Sequence, residues 1–209
     1  HKNPMTQKSL FERSVHKCFE LTIVFDLFRK ILHRNFFKEK SILKQELDFG
    51  KVTLDFGCGS GPYSVIFQKE KYIGVDIDAK NIEFAKKKYE KEFMLIDNKN
   101  NLKSVGSNVQ QIFAIDVFHH LPDNIVKECV REFAKVLPKN GKVLILEHFP
   151  AGQQTNILGR LLMTFDRGKN IRLKEELSEF FAGSFVVEKS YEYYAAGVRD
   201  YTLLLKKKR

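Results

Sequence analysis

One nine-residue run, Leu54-Asp55-Phe56-Gly57-Cys58-Gly59-Ser60-Gly61-Pro62, restricts the folds open to this chain more than any other feature. The apolar residues from Val52 to Phe56 read as a buried strand. Glycines at 57, 59 and 61 then let the backbone turn tightly and approach a ligand with no side chain in between. In doubly wound sheets such a turn lies at the carboxyl end of the strands, where ligands bind. Asp76 closes the next apolar run, nineteen positions after Gly57, where a carboxylate can accept hydrogen bonds from both hydroxyls of a ribose. The competing reading is a plain tight turn and a helix-capping acid. A preceding strand, three glycines and an acid at that distance argue together against it.

Downstream of the loop, short apolar runs alternate with helical patterns. Pro62 sits where a first helical turn tolerates a missing donor, which predicts a helix to about Lys69. Strands are expected at Tyr72–Asp76, Phe93–Asp97, Val109–Val117 and Val143–Glu147. Between them, Ile82, Ala85 and Tyr89 mark one face of a helix, and Asp123 is placed to cap another that carries Val126, Val130 and Phe133 inward. Strand, helix, strand at this spacing implies right-handed crossovers and a parallel, doubly wound sheet. The tail predicts a helix over 173–182, then strands Phe185–Tyr193 and Tyr201–Leu205 as an antiparallel pair at the sheet edge. From Leu10 to Phe37, apolar residues recur at helical spacing and predict a leading helical segment.

At 209 residues the chain suits a single domain: a helical cap over 5–45, a core over 50–149, an insertion over 150–172 and a closing helix and strand pair over 173–209. No apolar run reaches the ~18 residues of a membrane span; Leu21 to Phe28 is interrupted by Asp26. Cys18, Cys58 and Cys129 are too far apart for a disulfide framework or a zinc pattern, so no metal is expected and a reducing cytoplasm is the natural setting. The formal charge of +10 favours anionic partners without choosing among them, and lysines on solvated helix faces account for much of it.

The glycine spacing separates two nucleoside cofactors. Dinucleotide enzymes use G-x-G-x-x-G with a helix amino end facing a pyrophosphate. Here the spacing is G-x-G-x-G, and Asp55, two residues before the first glycine, would repel a pyrophosphate and suit a cofactor with an amino group and a sulfonium. With these residues the chain resembles the small-molecule (type 11-like) branch of the class I S-adenosylmethionine-dependent methyltransferases, well over 50–149 and in outline over the tail. Gly74-Val75-Asp76-Ile77-Asp78 resembles that family's second motif, in which the acid holds the ribose and the next apolar residue packs on adenine. Leu95-Ile96-Asp97-Asn98 resembles the third, Phe118-His119-His120-Leu121-Pro122-Asp123 the signature after strand four, and Val136 to Val143 the turn into strand five. Val109-Gln110 stands where the family often has Phe-Asp, far from the ligand edge.

The resemblance implies an α/β, Rossmann-like seven-stranded sheet, mostly parallel, with an antiparallel C-terminal pair and a helical cap. It implies S-adenosylmethionine as cofactor, with Asp55, Gly57, Cys58, Gly59, Asp76, Ile77, Asp97, Asn98 and Asp116 around it.

In methyl transfer from a sulfonium, the enzyme holds the nucleophile, methyl and sulfur in line and excludes water. A hydroxyl or protonated-amine acceptor also requires a base. Among His119, His120, His148 and Asp116, the histidines His119 and His148 are the catalytic candidates, because imidazole titrates near neutrality. The 153–171 insertion, with Leu158, Leu161, Met163 and Phe165 beside Arg160 and Arg167, would make a lid for an amphiphilic or anionic acceptor, a metabolite or lipid. The leading helix could touch a membrane surface, although an ordinary lid helix is the simpler reading. Three rivals stand beside this one: an RNA methyltransferase acting on ribose or a base ring, suggested by the charge, a non-catalytic nucleoside-binding module, and a dehydrogenase. Asp116-Val117-Phe118-His119 lacks the Asp/Asn-Pro-Pro-aromatic run of enzymes that methylate base amines.

Overall fold

The computed structural model describes residues 36–96, 102–106, 108–153, 169–195 and 198–208. The leading helical stripe up to residue 35, most of the proposed lid, and Asp97 and Asn98 therefore lie outside the described residues. The chain divides into two compact units, 1–37 and 38–209, and the sheet belongs to the second.

Seven strands are present: β1 Thr53–Phe56, β2 Tyr72–Asp76, β3 Glu92–Leu95, β4 Gln111–Ile115, β5 Lys142–His148, β6 Phe185–Ala195 and β7 Val198–Lys207. Among the described residues four helices accompany them: α1 Phe37–Glu46, α2 Ala79–Lys88, α3 Asp123–Val136 and α4 Lys174–Phe181. The strand order is β3-β2-β1-β4-β5-β7-β6, with β7 antiparallel to both β5 and β6 and the other neighbours parallel. This is the mixed, doubly wound sheet that the alternation implies.

Every residue of β1 and β4 is buried, as expected of central parallel strands covered on both faces. Helix α3 buries Val126, Val130 and Phe133, a stripe at helical spacing that meets Phe56 and Phe118 in edge-to-face contacts. Order in the sheet reverses between β1 and β4, so the chain leaves these two strands in opposite directions and opens a crevice at their carboxyl ends.

The helix expected from Pro62 to about Lys69 is absent. Two short 3-10 turns, Ser64–Ile66 and Lys69–Lys71, stand there instead. Ser64 Oγ donates to the Gly61 carbonyl at 2.7 Å, a local bond that competes with helix propagation. Phe67 is drawn into the core, stacked on Phe113 with ring centroids 5.7 Å apart and on Phe49 at 4.7 Å. The N-cap of α3 is Pro122, not Asp123, because Asp123 is the first helical residue and pairs with Arg172 at 2.6 Å. Strand β5 runs one residue further than its apolar pattern suggests and takes in His148.

The departure at Val109-Gln110 has a structural consequence only. Gln110 Oε1 accepts from the Val52 amide at 3.1 Å, and the neighbouring Gln111 amide group donates to Thr53 Oγ1 at 2.7 Å and to the Asp48 carbonyl at 2.8 Å. Together these bonds tie the amino end of β4 to the amino end of β1.

Candidate active site

The loop after β1 is held from below. The amides of Gly57 and Cys58 both donate to the Val75 carbonyl, at 2.8 and 2.9 Å, and the Gly61 amide donates to the Cys58 carbonyl at 2.9 Å. Gly57, Gly59 and Gly61 all have positive φ, at +76°, +51° and +77°, which L side chains rarely adopt. Their surroundings differ. A Cβ on Gly57 would lie 2.5 Å from Val117 Cγ2, and one on Gly61 would lie 2.8 Å from the Phe93 ring. A Cβ on Gly59 would meet nothing within 4 Å among the described residues. Two glycines therefore make room for protein, while the middle one faces open space.

Asp76 ends β2 directly beside this opening. Its Oδ2 accepts from the Gly59 amide at 2.7 Å and its Oδ1 from the Asp78 amide at 2.8 Å. A carboxylate oxygen has two lone pairs, so each can still accept a hydroxyl. Ile77, the next residue, is 74% exposed, an unusual position for an isoleucine and one that offers an apolar plate at the cleft. Bare backbone, a carboxylate with acceptor capacity left and an exposed apolar side chain could hold a nucleoside. Asp55 lies beneath them, buried, with Tyr72 Oη donating to its Oδ2 at 2.6 Å. Burial pushes its carboxyl up to about 8, against the Tyr72 hydrogen bond and with the help of the Asp76 charge. Buried in the same layer, the Cys58 thiol is raised well beyond the usual range, chiefly by burial, and is no nucleophile.

Across the crevice, β4 ends in a sharp turn. Asp116 has φ +58°, an uncommon conformation for a residue other than glycine. Its amide still donates to the Leu146 carbonyl at 3.0 Å. The next two amides, Val117 and Phe118, leave the sheet and converge on Glu147 Oε1 at 2.8 and 2.6 Å. Glu147 Oε2 meets His119 Nδ1 at 2.6 Å. One carboxylate in β5 thus fixes the whole turn, and His119 is buried on it with only 2% exposure. His120 is exposed and packs at a tilt against His119, with ring centroids 4.0 Å apart. The other face of this turn is strapped by Arg172, whose guanidinium donates to the carbonyls of Phe118 and Leu121, both at 2.8 Å.

His148 lies between two acids. Its Nε2 is 3.0 Å from Asp116 Oδ1 and its Nδ1 is 2.6 Å from Asp200 Oδ1. Asp200 arrives through the antiparallel register that sets it opposite His148. Burial alone would hold the imidazolium down, but Asp116 and Asp200 outweigh it and push the His148 pKa up to about 9. Burial likewise raises Asp200, to about 6, with His148 pulling the other way. Tyr193, buried on β6 opposite Asp200, has its hydroxyl pushed well above the ordinary range, first by burial and then by Asp200 and Glu39.

Asp55, Gly57, Cys58, Gly59, Asp76 and Ile77 therefore gather on the β1–β2 side of the crevice, and Asp116, His119 and His148 on the β4–β5 side. Val117 against Gly57 joins the two sides. Sequence reasoning assigned no role to Glu147 or Asp200, placed Arg172 among the lid cations and read Tyr193 as sheet packing. A charged residue inside the run Val143-Leu144-Ile145-Leu146-Glu147 was a signal for the first of these, since a buried strand tolerates an acid only when it has partners. Asp200 and Tyr193 carried no such signal. Among the described residues no group of three or more His, Cys, Asp or Glu is arranged to hold a metal ion.

Known proteins resemble this chain in sequence and in fold. Residues 54–145 match the family described as a methyltransferase domain. Over 106 residues the chain is 29% identical to a ribosomal protein L11 methyltransferase of Thermosipho africanus, covering 49% of this chain and 40% of that protein. Over 115 residues it is 30% identical to a tRNA (carboxymethyluridine(34)-5-O)-methyltransferase of Arabidopsis thaliana, covering 54% of this chain and 28% of that one. The chain thus spans less than half the length of either relative. Its fold is shared with a SAM-dependent methyltransferase from Archaeoglobus fulgidus, at TM-score 0.68 and 17% identity over 88% of this chain and 99% of that one. It is shared also with magnesium protoporphyrin IX methyltransferase from Synechocystis PCC 6803 with bound SAH, at TM-score 0.63 and 16% identity over 86% and 85%.

Proposed function

We propose that this chain, a member of the class I S-adenosylmethionine-dependent methyltransferases, transfers a methyl group to a small-molecule acceptor, a metabolite or lipid. S-Adenosylmethionine is the cofactor of that family and supplies a methyl carbon made electrophilic by its positive sulfur. On this reading the cofactor is held by Asp55, Gly57, Cys58, Gly59, Asp76 and Ile77, with Asp97 and Asn98 completing the adenine side and Asp116 the far side. Gly59 lets the ligand lie against bare backbone, Asp76 takes the ribose hydroxyls, and Ile77 covers an adenine face. A cation above the loop would draw the proton off Asp55 and so convert a neutral buried carboxyl into a partner for it.

His119 and His148 contribute to catalysis in different ways on this reading. His148 has both ring nitrogens engaged by carboxylates, so it sets the position and charge of Asp116 and does not itself collect a proton. Through Glu147, His119 holds the turn that brings Asp116 and Val117 against the glycine loop.

The observation that carries the small-molecule reading is the sign of charge in the crevice. Glu39, Asp116, Glu147 and Asp200 all lie at this end of the sheet, while Lys86, Lys87 and Lys88 sit on the last turn of α2. A phosphate backbone approaching these acids would be repelled, so the net charge of +10 does not by itself favour a nucleic-acid acceptor. The RNA reading has one specific point in its favour, the resemblance to a tRNA methyltransferase. Incubation with methyl-labelled cofactor and separated extracts of metabolites, lipids and RNA distinguishes the two. Label in the metabolite or lipid fraction, lost in Asp76→Ala, is the expected outcome; label confined to RNA or protein would refute the small-molecule assignment.

A further inference from the structure

Methyl transfer changes the cofactor by one charge: the donor carries a positive sulfur and the product left behind is neutral. An enzyme that binds both equally well is inhibited by its own product, so a group in the cleft that senses that charge would separate them. Among the described residues one assembly is placed to do so. Asp116 borders the glycine loop, because the side chain of its neighbour Val117 fills the space over Gly57. Its backbone is held at φ +58°, a conformation that persists in a non-glycine residue only when its surroundings impose it. His148 Nε2 lies 3.0 Å from one carboxylate oxygen, and Asp200 takes the opposite ring nitrogen at 2.6 Å. Asp200 Oδ2 is buried with no hydrogen-bond partner among the described residues, so the bond that fixes this carboxylate is the one from its Oδ1 to the imidazole. With an imidazolium between two carboxylates, the three residues carry one net negative charge.

We propose that Asp116, positioned by His148 and Asp200, reads the charge of the bound cofactor and favours the sulfonium donor over its neutral product. The inference rests on the methyltransferase reading above. Asp116 is the residue that faces the ligand, and His148 and Asp200 are positioning residues. A lone aspartate at the end of a strand could rotate away or take up a proton; one bound to an imidazolium is held both in place and in charge. Among the described residues, the other titratable groups facing the trio are Glu39 on α1, Tyr63 after β1, His119 after β4, Glu147 on β5 and Tyr193 on β6. Tyr193 stays neutral to well above neutrality, and Glu147 is occupied by His119 and two amides.

The test is calorimetric titration of the full chain with S-adenosylmethionine and, separately, with S-adenosylhomocysteine. The readout is the ratio of the two dissociation constants. Asparagine tolerates positive φ and matches aspartate in shape, so Asp116→Asn keeps the turn. It is expected to weaken the donor about tenfold while the product stays within twofold. In the native protein the preference for the donor should also rise with pH through about 9, as His148 loses its proton and the trio gains a second negative charge. The amino group common to both ligands cancels from the ratio. Asp200→Asn removes one of the two acids that raise His148, and should move that inflection to lower pH, an effect that mere loosening of the strand would not produce. Equal weakening of both ligands in Asp116→Asn, an unchanged ratio, or a ratio flat through pH 9 would each overturn the proposal. If the native protein binds neither ligand, it is the methyltransferase reading that fails.

Discussion

Replacing Gly59 with alanine separates the loop's role in the fold from its role in binding. Gly57 and Gly59 share positive φ, so an alanine at either position pays the same kind of backbone strain, about 1–2 kcal/mol. In a domain of this size that strain lowers the midpoint of thermal unfolding by about 2–8 °C. The two positions then diverge. At Gly57 the new methyl falls 2.5 Å from Val117 Cγ2, an overlap that forces the β4 turn to move and adds about 1–3 kcal/mol of overpacking. At Gly59 the methyl meets no described atom within 4 Å and projects into the cleft. Gly59→Ala should therefore fold with the smaller loss of midpoint, while its methyl stands where a ligand must lie against bare main chain. A clash there of about 1–3 kcal/mol weakens S-adenosylhomocysteine about ten- to a hundredfold. Thermal unfolding and titration calorimetry on both variants make the comparison. If Gly59→Ala bound the product as tightly as the native protein, the cradle assigned to Asp55 through Gly61 would be wrong.

Two further outcomes follow from buried polar groups. For Asp55, the folded pKa of about 8 lies above the ordinary carboxylate value, so between these two values the folded state holds more protons than the unfolded chain. Stability of the cofactor-free protein should then fall as pH rises from about 4 to 8; Asp55→Asn should flatten that slope in a series of midpoints against pH, and an equally steep slope in the variant would assign it to other groups. For Arg172, truncation to alanine strands the Phe118 and Leu121 carbonyls, a loss of about 3 kcal/mol by urea titration. Arg172→Lys should recover only a part, because one ammonium cannot span the same fork of acceptors; full recovery would mean that charge alone matters there.

The glycine cradle and Asp76 were legible because their determinants are local. Positive φ at three closely spaced positions demands glycine, and an acid at the end of the following strand falls beside that loop whatever the remainder of the fold does. Strands β1, β4 and β5 were legible for a similar reason, since burial on both faces leaves near-continuous apolar runs. The misread segment after Pro62 had helical punctuation, but its outcome was decided by where the Phe67 ring could be buried, between Phe49, Tyr72 and Phe113. Those partners come from the approach to β1, from β2 and from β4, and a window of neighbouring residues does not contain them.

The far side of the cleft was less legible because its chemistry depends on register. His148 and Asp200 are fifty-two positions apart, and only the antiparallel pairing of β5 with β7 sets them face to face. Were that register shifted by one residue, Asp200 would point to the opposite face of the sheet and His148 would lose one of its two acids. The same pairing turns an apparent base into something else. Read alone, His148 is a histidine near neutrality at the edge of a strand, a natural proton acceptor; between two carboxylates it is a cation with no nitrogen to offer. The function of a side chain here is set less by its identity than by the strand opposite it. For that reason the half of the cleft around the glycine loop can be read from a short motif, whereas the half around His148 is specified by contacts between distant parts of the chain.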